Sequence, residues 1–481
     1  MEDNLKMWKQ YYNVTSTDEA IHLLDLSHQN TRIVAGATDL ILELERGIRK
    51  NVDTLIDISR IQGLDQITLD DDSQIIHLGP LVTHNHCASS KLIQEKAFPL
   101  AQAAWEVGSP QIRNRGTIAG NLITASPAND TITPLIALNA HIILQSSAGK
   151  RDIELKDFYS GVRKTLLQPN EMLVDIWFPA MKQEEYGFFI KFALRRAQAI
   201  SLVNVTAICQ INDDIIKQAS ITLGAVAPTI IHAADAEEYL QGKRLSDEVI
   251  ETAAILAQKS ARPISDIRGS AGYRKTMIKV ITKRALRSLQ KIALGEPKPL
   301  FGTFLLDDQS KQQLKESSNI SEENPIITTV INGKNFSIKT GYEKSLLRFL
   351  REDFGLPGTK EGCAEGECGA CTIFLDGKAV MACMVPAGRA NHANIVTIEG
   401  IRKEDGSNHI VQNKFIEEGA VQCGYCTPGF VMSAVKLLEE KPTPSQLEIR
   451  QAISGNLCRC TGYYKIISAI EKAAIDLMKE D

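Results

Sequence analysis

The stretch Cys363-Ala-Glu-Gly-Glu-Cys368-Gly-Ala-Cys371 decides the fold of the last third of the chain. Its three cysteines are separated by four and then by two residues, and Cys383 follows after eleven more. Glycine lets the backbone curl closely, and glycines interleave with these cysteines at Gly362, Gly366 and Gly369. The spacing therefore predicts a tight loop that brings three thiols to one side of a single site.

This C-x4-C-x2-C spacing with a distant fourth cysteine is the plant-type ferredoxin pattern for a 2Fe–2S cluster. Thiolates are soft ligands that neutralise ferric charge, and backbone amides of a glycine-rich loop can reach their sulfurs. Zinc sites usually show two C-x2-C pairs, so the triplet favours iron over zinc. A hairpin signal with an Asn332-Gly333 turn before the loop, and a strand signal at residues 372–375 after it, predict a rigid frame.

Four more cysteines form a second quartet: Cys423, Cys426, Cys458 and Cys460. From the residues alone, this C-x2-C and C-x-C combination is compatible with zinc or with an iron–sulfur cluster. The sequence after residue 402 predicts helices, with a capping box at Ser445-Gln446-Leu447-Glu448 and Pro428 opening a helix. Because Cys426 precedes that helix, we expect the helix dipole to favour its thiolate.

Composition limits the classes of function that the 481-residue chain can have. Hydrophobic residues make up 43% and charged residues 23%, the balance of a soluble globular protein, and the net charge of −4 is unlike that of a nucleic-acid binder. No apolar run is long enough to span a bilayer, and residues 1–9 contain no signal core. We therefore expect a cytoplasmic protein with no membrane or nucleic-acid partner, in which clustered cysteines serve metal or redox sites.

The first two thirds of the chain give a weaker signal. No dinucleotide-binding glycine motif and no P-loop is present. Two turns of small residues each lead into a helix, Ala35-Gly36-Ala37-Thr38-Asp39 and Gly116-Thr117-Ile118-Ala119-Gly120-Asn121. Such turns can present backbone amides to a phosphate, although the residues alone favour ordinary tight turns.

Other segments receive plainer interpretations. His84-Asn85-His86-Cys87 offers too few ligands for a metal, which favours a turn with solvated histidines. Cys209 is predicted to be a small buried hydrophobe. Strands followed by helices in residues 187–294 predict an α+β lobe, and the polar composition of residues 295–325 predicts an exposed linker.

The cysteine motifs resemble those of a known family. The first stretch, together with Gln422-Cys423-Gly-Tyr-Cys426-Thr-Pro-Gly429 and Gly455-Asn-Leu-Cys458-Arg-Cys460-Thr-Gly-Tyr463, resembles the iron–sulfur subunit of the xanthine dehydrogenase family of molybdenum hydroxylases. The resemblance covers residues 326–481. It implies two 2Fe–2S clusters, one in a ferredoxin-like β-grasp domain (326–401) and one in a four-helix domain (402–481). It also implies that Gln422 lies close to the pterin cofactor of a partner subunit.

Residues 1–294 resemble the FAD-binding subunit of the same family, through both small-residue turns, Ser126-Pro-Ala-Asn-Asp130, Lys191-Phe-Ala-Leu-Arg-Arg196 and Pro263-Ile-Ser-Asp-Ile-Arg268. The resemblance implies an α+β multidomain chain with a two-lobed FAD-binding domain of the PCMH/CO dehydrogenase flavoprotein type (1–180), an α+β domain (181–294) and a linker (295–325). The implied FAD-binding residues are Ile33, Val34, Ala35, Gly36, Ala37, Thr38, Asp39, Leu40, Thr117, Ile118, Ala119, Gly120, Asn121, Thr124, Asp130, Leu173 and Lys191.

Two of these residues, Ala37 and Ala119, stand where the family often has glycine. An added methyl group is tolerable at such a position if its φ stays negative.

The resemblance implies an electron-transfer subunit with no catalytic acid or base of its own. A large partner subunit would hold the molybdenum–pterin cofactor, and electrons would pass through the helical-domain cluster and the ferredoxin-like cluster to FAD and then to an acceptor such as NAD. We expect a higher-order hetero-oligomer of the xanthine or purine dehydrogenase type. Nicotinate, aldehyde or carbon monoxide remain alternative substrates of the partner, and a zinc-stabilised binding protein is the alternative from another class.

Overall fold

A computed structural model describes residues 7–26, 30–305, 316–402 and 405–480. The chain has the α+β multidomain architecture that the sequence predicts. It divides into two compact units: Met1–Gln62, Gly108–Gly116 and Gly302–Asp481 form the first, and Gly63–Val107 and Thr117–Phe301 form the second. Over the described ranges, no helix is both long and apolar enough to cross a membrane.

The first unit begins with a small sheet. Its parallel strands Gln10–Asn13, Thr54–Asp57 and Thr31–Val34 carry the helices Thr17–Leu26 and Leu40–Glu45. A fourth strand, Ser318–Ser321, pairs antiparallel with Gln10–Asn13.

That fourth strand lies in the segment 295–325, which the sequence predicts to be an exposed linker. The end of the segment belongs to the fold instead, because Ile320 is buried and its backbone pairs with Tyr11. Residues 306–315 of the predicted linker lie outside the described residues.

A five-stranded mixed sheet of the first unit frames the first cysteine quartet. Its strands, in spatial order, are Lys334–Ile338, Ile327–Ile331, Asn394–Val396, Thr372–Leu375 and Lys378–Met381. The helix Leu346–Arg348 continues as a π-helical turn, Phe349–Asp353, and 3-10 turns lie at Ala382–Met384, Ala387–Ala390 and Ile398–Gly400. The predicted hairpin is confirmed, because Asn332 and Gly333 both have positive φ, at 51° and 76°.

The small N-terminal sheet and this five-stranded sheet share one hydrophobic core. Trp8 and Tyr11 lie in the same cluster of buried side chains as Phe349 and Ile373. The indole of Trp8 also donates a hydrogen bond to the Tyr342 carbonyl oxygen, at 3.1 Å.

Four helices surround the second quartet: Ile410–Glu417, Thr427–Glu440, Gln446–Ala452 and Tyr464–Glu480. The predicted capping box is confirmed, because Ser445 and Glu448 each accept a hydrogen bond from the other's backbone amide. Cys426 is the residue immediately before the helix that contains Pro428. The short turns Pro110–Arg113 and Ile453–Gly455 complete the first unit.

The second unit contains an antiparallel five-stranded sheet with strands, in spatial order, Ile67–Asp70, Ile75–Leu78, Met172–Pro179, His141–Ser146 and Gly149–Glu154. Its helices are His84–Ser89, Lys91–Lys96, Phe98–Trp105, Ile118–Thr124 and Ile132–Ala137, followed by a 3-10 turn at Leu155–Phe158 and a small ribbon of Tyr159–Gly161 and Lys164–Thr165.

The expected turn of solvated histidines is wrong. Thr83 caps a helix over this segment, and His84 and Cys87 point into the interior and are buried.

The second unit also contains a four-stranded antiparallel sheet, with strands Glu185–Phe192, Val203–Asn212, Ile215–Gly224 and Ile231–His232. Helices Ala234–Leu240, Asp247–Ser260 and Ala271–Ala293 accompany it, as expected for an α+β lobe. The prediction for Cys209 is confirmed, because its side chain is fully buried in the core of this lobe.

Candidate redox cofactor sites

The first quartet lies in a loop whose backbone curls around one sulfur. The Cys363 sulfur accepts hydrogen bonds from the amides of Glu365, Glu367 and Cys368, each at 3.3 Å. Gly366 and Gly369 have φ of 72° and 66°, a region that side chains rarely adopt. A Cβ at Gly362 would lie 2.7 Å from the Cys368 sulfur, so the loop closes only with glycine there.

The sulfurs of each quartet lie in two close pairs. In the first, Cys371 and Cys383 are 3.4 Å apart, and the Cys368 thiol is hydrogen-bonded to the Cys363 sulfur. A tetrahedral metal with bonds of about 2.3 Å to sulfur separates two thiolates by about 3.8 Å. Two pairs of this size fit a cluster in which each of two irons takes two thiolates.

The second quartet has the same arrangement. The sulfurs of Cys423 and Cys460 are 3.7 Å apart, and Cys426 is hydrogen-bonded to Cys458. Its donors therefore also fit a two-iron cluster. Among the residues that the structure describes, no three or more His, Cys, Asp or Glu side chains converge on a single ion.

The surroundings set the acidity of the thiols differently. The hydrogen bond from Cys368, supported by the three backbone amides, lowers the pKa of Cys363. The hydrogen bond to Cys371 and then burial raise the pKa of Cys383. Burial raises the pKa of Cys426 to about 12, so the expectation that the helix dipole favours its thiolate is wrong: desolvation outweighs the dipole.

The second quartet lies at the surface of the helical domain. Cys423, Cys460 and Gln422 are exposed. Large apolar side chains around them are also exposed: Val421, Tyr425, Leu457 and Tyr464. An open cavity of about 360 Å³ lies beside the quartet, lined in part by Leu457 and Tyr464.

The loops that carry the two quartets touch through their backbones. The Leu457 amide, next to Cys458, donates a hydrogen bond to the carbonyl oxygen of Cys368 at 2.9 Å. The Asn456 side chain donates to the neighbouring carbonyl oxygen of Gly369 at 3.1 Å. A ligand residue of one quartet is thus one hydrogen bond away from the residue preceding a ligand of the other.

The first small-residue turn belongs to the first unit and follows the strand Thr31–Val34. A Cβ at Gly36 would lie 2.3 Å from the Arg115 carbonyl oxygen, so two backbones meet here. The Arg115 guanidinium donates to the Ala35 carbonyl oxygen at 3.0 Å. Within the described part of the chain, the amides of Gly36, Ala37 and Thr38 have no acceptor, which suits a loop that binds phosphate.

The condition of negative φ fails at Ala37, whose φ is 64°. The strand must reverse within a few residues before the helix Leu40–Glu45, and the left-handed conformation at Ala37 makes that turn. Ala119 lies inside the helix Ile118–Thr124 and has ordinary helical geometry.

This contrast predicts opposite effects of the same substitution. Ala37→Gly should raise the free energy of unfolding by about 0.5–1 kcal/mol, because glycine adopts positive φ without strain. Ala119→Gly should lower it by about 1 kcal/mol, because glycine weakens a helix interior. Denaturant titration of both variants measures the difference, and equal signs would contradict the assignment of strain to Ala37.

The second small-residue turn belongs to the second unit. The Thr117 hydroxyl accepts from the Gly120 amide at 2.9 Å and caps the helix that follows. The carbonyl and side-chain oxygens of Asn121 accept from Asn129 and Thr131, each at 2.6 Å. This turn is therefore joined to the segment 126–131, as the resemblance requires.

Asp130 and Lys191 form an ion pair at 2.7 Å with both side chains only 6% exposed. The other carboxylate oxygen of Asp130 accepts from Ser201 and Asn204, and Lys191 also donates to the Glu106 carbonyl oxygen. These side chains are fully engaged within the protein. Leu173 is likewise buried, on the strand Met172–Pro179.

The sequence-based interpretation missed a third element, the segment 108–116. Asn114 donates to the carbonyl oxygens of Leu305 and Ala379, at 2.9 and 2.8 Å. Gln111 donates to Ser433 and Asn456, at 2.9 and 3.1 Å. No motif marks these residues, because their partners are remote in sequence.

Comparison with known sequence families matches three parts of the chain. Residues 5–181 match the FAD binding domain in molybdopterin dehydrogenase. Residues 188–289 match the CO dehydrogenase flavoprotein C-terminal domain, and residues 397–471 match a 2Fe–2S binding domain.

Individual relatives divide along the same lines. The small FeS subunit of nicotinate dehydrogenase from Eubacterium barkeri is 53% identical over 143 residues, 30% of this chain and 90% of the relative. The medium subunit of nicotine 6-hydroxylase from Paenarthrobacter nicotinovorans is 31% identical over 277 residues, 58% of this chain and 95% of the relative. A structure of carbon monoxide dehydrogenase from Hydrogenophaga pseudoflava, lacking the Mo-pyranopterin moiety, aligns with a TM-score of 0.56 at 30% identity, covering 59% of this chain and 98% of that one.

An FAD-binding domain and a 2Fe–2S domain on one chain define an electron-transferring oxidoreductase subunit. The chain belongs to the molybdenum hydroxylase family, and it joins in one polypeptide the regions that match a medium and a small subunit of its relatives.

Proposed function

We propose that this chain passes electrons from a molybdenum–pterin site in a large partner subunit to an acceptor such as NAD. The observation that carries the proposal is the direct backbone contact between two cysteine quartets of two-iron geometry, on a chain that also carries an FAD-binding domain. Each 2Fe–2S cluster supplies one-electron transfer and FAD supplies exchange between one and two electrons.

The residues divide into three groups by role. Cys363, Cys368, Cys371 and Cys383 would hold one cluster, and Cys423, Cys426, Cys458 and Cys460 the other. The turn after the strand Thr31–Val34 would bind the FAD pyrophosphate through its backbone amides, and the turn at residues 117–121 would bind the ribityl and adenosine side. Asp130 and Lys191 would act from behind, by fixing the segment that follows the second turn.

The exposed apolar side chains around the second quartet support this surface as the docking site of the partner. Tyr425 and Leu457 are each 48% exposed, beside the exposed ligands Cys423 and Cys460. Burial of such a patch in a subunit interface would shield the cluster from water. Gln422 lies in the same patch, which fits a position close to the partner's pterin. Thiols committed to clusters rather than disulfides support a cytoplasmic location.

For the partner's substrate we propose a nitrogen heteroaromatic ring of the pyridine type. The sequence motifs favour a xanthine or purine dehydrogenase, but the relatives described above are named for nicotinate and nicotine. Xanthine specificity therefore has no support from them, and a purine becomes the second candidate because of the motif resemblance.

Affinity isolation of the tagged chain from its native host tests the proposal. The complex should contain a larger chain with molybdopterin, about four irons and about one FAD for each copy of this chain. It should oxidise nicotinate in a screen that also includes xanthine, an aldehyde and carbon monoxide, whereas the chain alone should oxidise none.

A surface variant provides the matched control for the partner. Leu457→Arg should reduce recovery of the larger chain while leaving iron and FAD in place, because only an exposed side chain changes. Zinc instead of iron, or hydroxylation by the isolated chain, would show that the proposed function is wrong.

A further inference from the structure

The segment 108–116 meets both quartets at their point of contact. Gln111 is fully buried, and its amide nitrogen donates to the Ser433 hydroxyl and to the Asn456 side-chain oxygen. Ser433 also donates to that Asn456 oxygen, at 2.8 Å. The Asn456 side chain is therefore fixed by two donors while its own nitrogen donates to Gly369.

The geometry leaves little freedom to this group of residues. Ser433 is completely buried and Asn456 nearly so. A Cβ at Gly455 would lie 2.2 Å from the Gln111 side-chain oxygen, so the backbone beside Asn456 packs directly on Gln111. A Cβ at Gly429 would lie 2.2 Å from the Gly369 carbonyl oxygen. Small residues thus let three chain segments meet at the bridge.

Asn456 immediately precedes Leu457, whose amide donates to the Cys368 carbonyl oxygen. Fixing the Asn456 side chain therefore also fixes the peptide that forms the backbone bridge. A buried polar network of this kind specifies one arrangement only when its members are satisfied together.

We propose that Gln111 is a positioning residue for electron transfer between the two quartets. Its side-chain amide holds Asn456 and, through Asn456, the Leu457–Cys368 hydrogen bond that links the two ligand loops. The inference rests on the proposed function, namely that the quartets hold clusters. It assigns the electron path a residue from the flavoprotein part of the sequence, although all the groups involved lie within the first unit.

Gln111→Met tests the inference in the intact chain, because methionine has a similar length and no donor. The variant should keep about four irons, while the backbone amide of Leu457 exchanges with solvent about tenfold faster than in the parent. The magnetic splitting between the two reduced clusters in the EPR spectrum should also change. Asn456→Asp, which removes the donor to Gly369, should have the same two effects.

Asn114→Ala is the matched control. It removes two buried hydrogen bonds from the same segment, but these lead to Leu305 and Ala379 rather than to the bridge. It should leave both the Leu457 exchange and the EPR splitting unchanged. If Gln111→Met fails to fold, Ser433→Ala replaces it, with a smaller effect in the same direction.

Two failures can be told apart. A parent protein without iron would overturn the proposed function. A parent with both clusters, in which Gln111→Met or its replacement Ser433→Ala leaves the Leu457 exchange and the EPR splitting as they are in Asn114→Ala, would overturn only the role of Gln111.

Discussion

Replacing Cys368 by serine should halve the iron of the purified protein, from about four atoms per chain to about two. The two quartets lie in different domains, one framed by the five-stranded sheet and the other by four helices. Serine is a poorer ligand than thiolate for iron in a sulfur cluster. The variant should therefore lose one of two EPR signals on reduction and keep its flavin.

Cys458→Ser should have the mirror effect, with loss of the other signal. Cys209→Ala is the control, because Cys209 is buried in another core and burial raises the pKa of its thiol to about 12. It should retain all the iron. Loss of both signals in either quartet variant would mean that the clusters do not assemble independently.

Lys191→Met should lower the free energy of unfolding by about 3–5 kcal/mol, because it leaves the buried Asp130 carboxylate without its counter-charge. Asp130→Asn should be similarly damaging, since it leaves a buried ammonium. The double variant should recover part of the loss, because neither charge is then left alone. Chemical denaturation of the four proteins measures the coupling between the two side chains.

Arg287→Ala provides the comparison for an exposed pair in the same unit. Arg287 pairs with Asp247 at 2.7 Å, but both side chains are largely solvated, so its loss should change stability by no more than about 1 kcal/mol. FAD content should fall in the Lys191 and Asp130 variants, since the segment that they fix is bonded to the second turn. A Lys191 variant no less stable than Arg287→Ala would contradict the importance of the buried pair.

Local signals in the sequence predicted local structure well. The Asn332-Gly333 turn and the capping box of Ser445 each depend on residues a few positions apart, and both are present. The cysteine spacing belongs to the same class, because a loop of nine residues can be read without knowledge of the rest of the chain.

Structure that depends on remote partners could not be predicted. The strand Ser318–Ser321 is polar apart from Ile320 and exists because the distant strand Gln10–Asn13 offers it an edge. Gln111 lies 322 and 345 residues from its partners, so nothing near it in sequence reveals its role. The acidity of Cys426 followed from burial rather than from its place before a helix, and burial is a property of the whole fold.

The strand Ser318–Ser321 has a consequence for the behaviour of the fused polypeptide. An uncovered strand at a sheet margin offers unpaired backbone groups to any other chain and is a common starting point for aggregation. Here the chain covers the margin of Gln10–Asn13 with its own backbone. Joining the two parts in one gene product thus provides a permanent β-strand cap, which a flavoprotein made as a separate polypeptide would have to obtain in another way.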